Sequence, residues 1–113
     1  MSFISLLFGS KASKHEAIVV LSPQEFKEKL KENPKQLIDV RTPQEFKSGH
    51  IKGAKNIDFF SGRFNLEFEK LDKDQPVFLY CRSGNRSRQT SKRLAMNGFT
   101  KIYDLQGGIM NYQ

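Results

Sequence analysis

Short apolar runs alternate with amphipathic stretches along the chain, and this alternation predicts strands that alternate with helices. The predicted strands are residues 18–21, 36–40, 54–57, 77–80 and 102–105. The fourth run is apolar at every position, which is typical of a parallel strand buried on both faces. The pattern therefore predicts an α/β fold, in which a parallel sheet is covered by helices on both faces.

Two capping boxes mark the first helices. Ser22–Glu25 has a hydroxyl residue, then proline, then glutamate, and it predicts a helix that ends near Asn33 and Pro34. Thr42–Glu45 repeats this order and predicts a short helix through Phe46.

Two further helix patterns follow in the second half of the chain. Residues 59–71 carry phenylalanines close to helical spacing, although Gly62 weakens the pattern. Residues 86–97 form a helix pattern that Gly98 closes. The pair Gly107 and Gly108 then turns into a last short helical segment.

Length and composition favour one folded domain. The 113 residues leave room for one modest core, and 37% hydrophobic with 27% charged residues is typical of a folded chain. We expect residues 1–14 to be an N-terminal tail and residues 15–113 to be the domain. The apolar run at the N-terminus is far shorter than the ~20 residues that cross a bilayer, so we expect no membrane span. The single cysteine excludes an internal disulfide and fits a reducing, cytoplasmic location.

Positive charge is concentrated after the fourth strand. The net charge is +7, and residues 82–93 contain no acidic residue. The basic residues of this stretch are Arg82, Arg86, Arg88, Lys92 and Arg93. No aromatic residues are interleaved with them for base stacking, so we expect no nucleic-acid partner. The stretch indicates small anionic partners instead.

The cysteine, Cys81, comes directly after the fourth strand and before a short loop and a predicted helix. Backbone N–H groups of such a loop and of a helix N-terminus favour the thiolate, which is the nucleophilic form. A free cysteine is more often a buried core residue, but this setting favours a reactive one. The candidate anion-binding loop comprises Arg82, Ser83, Gly84, Asn85 and Arg86.

The size of this loop bears on its chemistry. Cysteine phosphatases place an arginine at the sixth position after the cysteine, where this chain has Ser87. Arg86 comes one position earlier, so we expect the loop to fit the sulfur of a persulfide better than a phosphate. A phosphatase or arsenate reductase is therefore a weaker alternative.

The two histidines and the pair Asp39 and Arg41 are weaker candidates for functional residues than Cys81. The histidines, His15 and His50, are not at metal-ligand spacing from Cys81, so we expect neither a metal nor a cofactor. A pairing of His50 with Cys81 is possible, but a hydrogen bond within its own turn is the favoured role. Asp39 and Arg41 end the second strand, where a buried ion pair and a direct substrate role are equally supported.

Four blocks in the right order make the chain resemble the rhodanese-like single-domain sulfurtransferases. The blocks are residues 37–46, 49–57, 80–87 and 105–109, and the resemblance covers residues 18–112. It implies a three-layer domain around a five-stranded, mainly parallel sheet. One departure is Tyr112, since the family commonly has tryptophan after the glycine pair.

The resemblance also implies an activity. Cys81 would take a sulfane sulfur from a small anionic donor such as thiosulfate and become a persulfide. It would then pass the sulfur to an acceptor such as cyanide, a thiol or a thiol protein. The alternative within this family is a non-catalytic interaction or sulfur-carrier module, although binding alone does not require a thiol.

Overall fold

The computed structural model describes residues 14–112 and confirms the α/β fold. The strands are β1 (Ile18–Leu21), β2 (Leu37–Asp39), β3 (Lys55–Asn56), β4 (Val77–Tyr80) and β5 (Ile102–Leu105). Within the described residues they form one five-stranded sheet in the order β1-β5-β4-β2-β3, and every pairing is parallel. β4 is therefore the central strand, and its carboxyl end lies in the middle of one sheet edge.

The helices are α1 (Lys14–Ala17), α2 (Pro23–Glu32), α3 (Pro43–Lys47), α4 (Phe64–Glu69) and α5 (Asn85–Met96), followed by a 3-10 helix (Ile109–Asn111). Both capping boxes are confirmed, and α5 begins and ends within one residue of its prediction. The turn of α1 was not predicted. The expected tail of residues 1–14 lies outside the described residues, except for Lys14.

The helix predicted over residues 59–71 is wrong in its length. It forms only at Phe64–Glu69. Before it, the Asp58 carboxylate accepts a hydrogen bond from the Phe60 N–H at 3.0 Å, and the Ser61 hydroxyl accepts one from the Arg63 N–H at 2.9 Å. These local bonds hold turns in place of the helical hydrogen bonds.

Side chains from the two faces of the sheet form two core clusters. On one face Val77 and Leu79 of β4 pack with α4 and α5 through Phe64, Phe68 and Leu94. On the other face Phe78 and Tyr80 pack with Phe26 of α2 and with Leu37 and Leu105. The central strand is thus buried on both sides, as its apolar pattern predicts.

No helix within residues 14–112 is long and apolar enough to cross a membrane.

Candidate active site

Cys81 lies where β4 ends, and its side chain is buried, with 1% of its surface exposed. The loop after it reaches α5 through Gly84, whose φ of 111° is a left-handed conformation that favours glycine. The candidate loop residues Arg82, Ser83 and Asn85 are exposed around this buried sulfur. The strand, the loop and the helix therefore enclose the thiol as the sequence predicts.

The Cys81 sulfur takes the place of a helix-capping side chain. α5 has no side-chain cap, because its N-cap residue is Gly84. The Cys81 Sγ accepts hydrogen bonds from the Gly84 N–H at 3.1 Å and from the Ser87 N–H at 3.4 Å. Ser87 is the third residue of α5, whose N–H normally binds a capping oxygen. Two backbone dipoles thus point at the sulfur and favour its anion.

The 3-10 helix holds the other side of the loop. The Ile109 N–H donates to the Cys81 carbonyl at 2.9 Å, and the Met110 N–H donates to the Arg82 carbonyl at 3.2 Å. Gly108 passes so close that a Cβ there would lie 2.3 Å from the Arg82 oxygen. The glycine pair therefore allows a close backbone approach that fixes the loop from behind.

Arg86 is engaged by a carboxylate from α3. Its guanidinium makes two hydrogen bonds to the Glu45 carboxylate, at 2.7 and 3.0 Å. These bonds lower the pKa of Glu45 to about 2, against a raising effect of burial, and they raise the pKa of Arg86. The charge of one of the two loop arginines is thus balanced by Glu45, which the sequence pattern assigned only to a helix cap.

Arg82 differs from Arg86 in this respect. Its side chain is exposed, and it makes no hydrogen bond or ion pair with another side chain in the described part of the chain. Arg82 is therefore the loop cation with a guanidinium available to an incoming anion.

Asp39 and Arg41 form a buried ion pair. Arg41 Nη2 lies 2.7 Å from Asp39 Oδ2, and the same nitrogen donates to the Gly49 carbonyl at 2.6 Å. Asp39 is completely buried and Arg41 is 5% exposed. Of the two roles open from the sequence, the geometry supports the tie between the strand end and the following loop.

His50 bonds locally. Its Nδ1 lies 2.8 Å from the Phe46 carbonyl oxygen, and its ring stacks on that of Phe46 with centroids 3.7 Å apart. These contacts support the structural role favoured for this histidine. Among the side chains of residues 16–112, no group of three or more His, Cys, Asp or Glu could hold a metal ion.

Ser87 and Asp104 are site residues that the sequence did not single out. The Ser87 Oγ lies 3.7 Å from the Cys81 sulfur and donates to Asp104 Oδ1 at 2.6 Å. Asp104 lies on β5 next to the central strand and is 4% exposed. An aspartate within a buried parallel strand was the available signal, because such a position normally carries an apolar residue.

Comparison with known proteins agrees with this geometry. The family model of the rhodanese-like domain matches residues 22–113. The thiosulfate sulfurtransferase GlpE of Ectopseudomonas mendocina is 36% identical over 88 residues, which cover 78% of each chain. The tRNA uridine(34) hydroxylase of Chlamydia pneumoniae is 38% identical over 109 residues, but the chain spans only 32% of that protein's length.

A solved structure is similar over most of its length. The polysulfide-sulfur transferase homodimer of Wolinella succinogenes matches with a TM-score of 0.68 and 33% identity, over 87% of this chain and 74% of that one. The family match spans the four strands β2 to β5, Cys81 and its loop. The chain therefore belongs to the rhodanese-like domain family.

Proposed function

We propose that the protein is a sulfurtransferase that carries sulfane sulfur as a persulfide on Cys81. The observation that carries the proposal is the position of the Cys81 sulfur. It accepts hydrogen bonds from the Gly84 and Ser87 N–H groups at the start of α5. These dipoles favour an anionic sulfur without a histidine base. The sulfurtransferase names of two relatives, one acting on thiosulfate and one on polysulfide, support the same reaction class.

The reaction balances without an oxidant or a reductant. The Cys81 thiolate attacks the outer sulfur of a donor such as thiosulfate, the sulfur–sulfur bond of the donor breaks, and sulfite leaves with the electron pair. The new Cys81 persulfide carries its charge on the terminal sulfur. Cyanide or a thiolate then attacks that terminal sulfur, and the Cys81 thiolate is regenerated.

The surroundings of Cys81 favour a small donor with a narrow reactive end. The sulfur is buried, and exposed loop residues surround it, so the donor must reach it through the loop. Arg82 is free to meet the anionic end of thiosulfate. The position of the phosphatase arginine is taken by Ser87, whose hydroxyl turns to Asp104 instead of outward. This loop therefore has no guanidinium at the place where phosphatases bind phosphate.

The test is Cys81→Ser in a thiosulfate–cyanide assay. We expect turnover to be lost while the fold remains, because the hydroxyl is nearly isosteric with the thiol but does not ionise at neutral pH. Intact mass after treatment with thiosulfate is expected to rise by about 32 Da in the wild type only, as persulfidation requires. Since the chain has one cysteine, the adduct site is unambiguous.

Three results would redirect the proposal. Turnover by Cys81→Ser equal to the wild type, or efficient hydrolysis of p-nitrophenyl phosphate by the wild type, would overturn it. A persulfide that forms but passes to neither cyanide nor small thiols would favour the sulfur-carrier alternative.

A further inference from the structure

A buried carboxylate lies behind the cysteine, and the sulfur-transfer scheme does not use it. The Ser87 hydroxyl bridges the two groups, with its Oγ 3.7 Å from the Cys81 Sγ and 2.6 Å from Asp104 Oδ1. All three residues are buried, at 1%, 0% and 4% exposure for Cys81, Ser87 and Asp104. They form a continuous chain of polar atoms inside the core.

The Ser87 hydroxyl has one hydrogen, and the charge on Asp104 decides where it points. Its acceptors are Asp104 Oδ1 at 2.6 Å and the Gly84 carbonyl at 3.3 Å. When Asp104 is ionised, the shorter, charge-assisted bond holds this hydrogen. The oxygen then offers only lone pairs to the sulfur, which suits a thiol that donates its S–H but repels a thiolate.

Protonation of Asp104 reverses this arrangement. The carboxylic acid then donates its own O–H to the Ser87 oxygen, and the Ser87 hydrogen becomes available to the sulfur. A sulfur anion would receive three donors, namely the Gly84 N–H, the Ser87 N–H and the Ser87 O–H. In both arrangements the Cys81 sulfur, the Ser87 hydroxyl and the bonded Asp104 oxygen each have a hydrogen-bond partner.

We propose that Asp104 and Cys81 share one proton through the Ser87 hydroxyl, so that Asp104 is a positioning residue that holds this proton while the sulfur is anionic. In the transfer, the S–H proton of Cys81 passes to the Ser87 oxygen, and the former hydroxyl proton of Ser87 passes to Asp104. The site carries one negative charge before and after the transfer. The buried pocket therefore avoids the cost of a second charge.

The surroundings of Asp104 leave it poised for this exchange. Burial raises the pKa of Asp104 to about 6, although the Ser87 hydrogen bond and the charge of Arg88 lower it. Its strand partners, Val20 of β1 and Leu79 of β4, are uncharged. On this face α1 contributes Ala17 to the core, whereas α2 packs through Phe26 on the opposite face. The Ser87 hydroxyl thus links Asp104 to a second titratable side chain, that of Cys81.

The inference rests on the proposed function, but thiolate formation can be measured without sulfur transfer. Alkylation by iodoacetamide reports on Cys81 alone, because the chain has one cysteine. We expect the alkylation rate of the wild type to rise in acid, to level off near the pH where Asp104 ionises, and to rise again in alkali. The plateau arises because the pair then keeps one proton, whose division between the two groups does not depend on pH.

Variants separate the shared proton from a purely structural role. Asp104→Asn is expected to give one continuous rise and, at pH 8, alkylation about tenfold faster than the wild type, since no carboxylate competes with the thiolate. Ser87→Ala is expected to lower the plateau about tenfold, because the third donor to the sulfur is lost, and Ser87→Thr is expected to restore it. Asp74→Asn, an exposed loop carboxylate, is the charge-matched control and should keep the wild-type profile.

The outcomes decide the proposal without reference to activity. A single-step wild-type profile, or a wild-type plateau in Ser87→Ala, would overturn the shared proton. If Asp104→Asn does not fold, the Ser87 pair still gives the answer. A two-step profile in a protein that takes sulfur from neither thiosulfate nor polysulfide would uphold this inference and overturn the proposed function.

Discussion

The variant Asp104→Asn is expected to become increasingly more stable than the wild type as the pH rises from 4 to 7. Burial raises the folded-state pKa of Asp104 to about 6, from an ordinary value of 3.8. Between these two values the folded protein keeps a proton that the unfolded chain has lost. Unfolding therefore releases a proton, and the stability of the wild type falls as the pH rises through this window. Asparagine does not titrate, so the stability of the variant does not decrease with pH for this reason.

The size of the effect follows from the same two values. The difference between about 6 and 3.8, at about 1.4 kcal/mol for each pH unit, gives about 3 kcal/mol. The pKa of about 6 already includes the lowering by the Ser87 hydrogen bond, so the loss of that bond is not subtracted again. The unfolding free energy of Asp104→Asn, relative to the wild type, is therefore expected to rise by about 3 kcal/mol across this pH window.

The assay is urea unfolding of the wild type and Asp104→Asn at intervals from pH 4 to pH 8, with a reductant present to keep Cys81 as a thiol. The quantity of interest is the difference in unfolding free energy, because groups common to both proteins cancel. Equal m-values in the two proteins are required for this comparison. Asp74→Asn controls for the change in net charge and should show a constant difference. A constant difference for Asp104→Asn over the same range would refute the reasoning.

Two further predictions concern the frame of the loop. Gly108→Ala is expected to destabilise the protein more than Gly53→Ala does in thermal unfolding, and to reduce thiosulfate turnover. Both glycines have a positive φ, 69° at Gly108 and 89° at Gly53. A Cβ at Gly108 would clash with backbone atoms, whereas a Cβ at Gly53 would have no atom within 4 Å. Comparable effects of the two variants would contradict the close approach. Arg86→Ala is expected to lower thiosulfate turnover roughly tenfold, because it leaves the Glu45 charge unbalanced beside the loop. The double variant Arg86→Ala and Glu45→Gln should recover most of that loss, and equal losses in the single and double variants would show that Arg86 acts directly on the substrate.

The fold was largely predictable because its signals are local. The capping boxes at Ser22 and Thr42 fix two helix starts within a few residues of chain, and both form as expected. The apolar run of β4 predicted a buried central strand for the same reason. The error at residues 59–71 arose because phenylalanine spacing alone does not reveal that Asp58 and Ser61 hold turns before α4.

The candidate site was predictable only in part, because its remaining contacts join distant parts of the chain. Cys81 and its loop are contiguous in sequence, so their arrangement could be inferred. The bond between Arg86 and Glu45 spans 41 positions, and the bond between Ser87 and Asp104 joins α5 to β5. Both depend on how helices α3 and α5 pack against the sheet, which no local pattern specifies. The excess of basic residues therefore overstated the free positive charge at the thiol.

The geometry assigns the stabilisation of the sulfur anion to the backbone more than to the arginines. Arg86 is neutralised by Glu45, and Arg82 is exposed to water, where salt screens its charge. The N–H groups of Gly84 and Ser87 are buried against the sulfur and are fixed by α5, so neither salt nor a side-chain substitution removes them. The position of these N–H groups depends in turn on the loop, whose carbonyl groups accept hydrogen bonds from the Ile109 and Met110 N–H groups. Salt is therefore expected to weaken the capture of an anionic donor, while the reactivity of Cys81 toward a neutral reagent changes little.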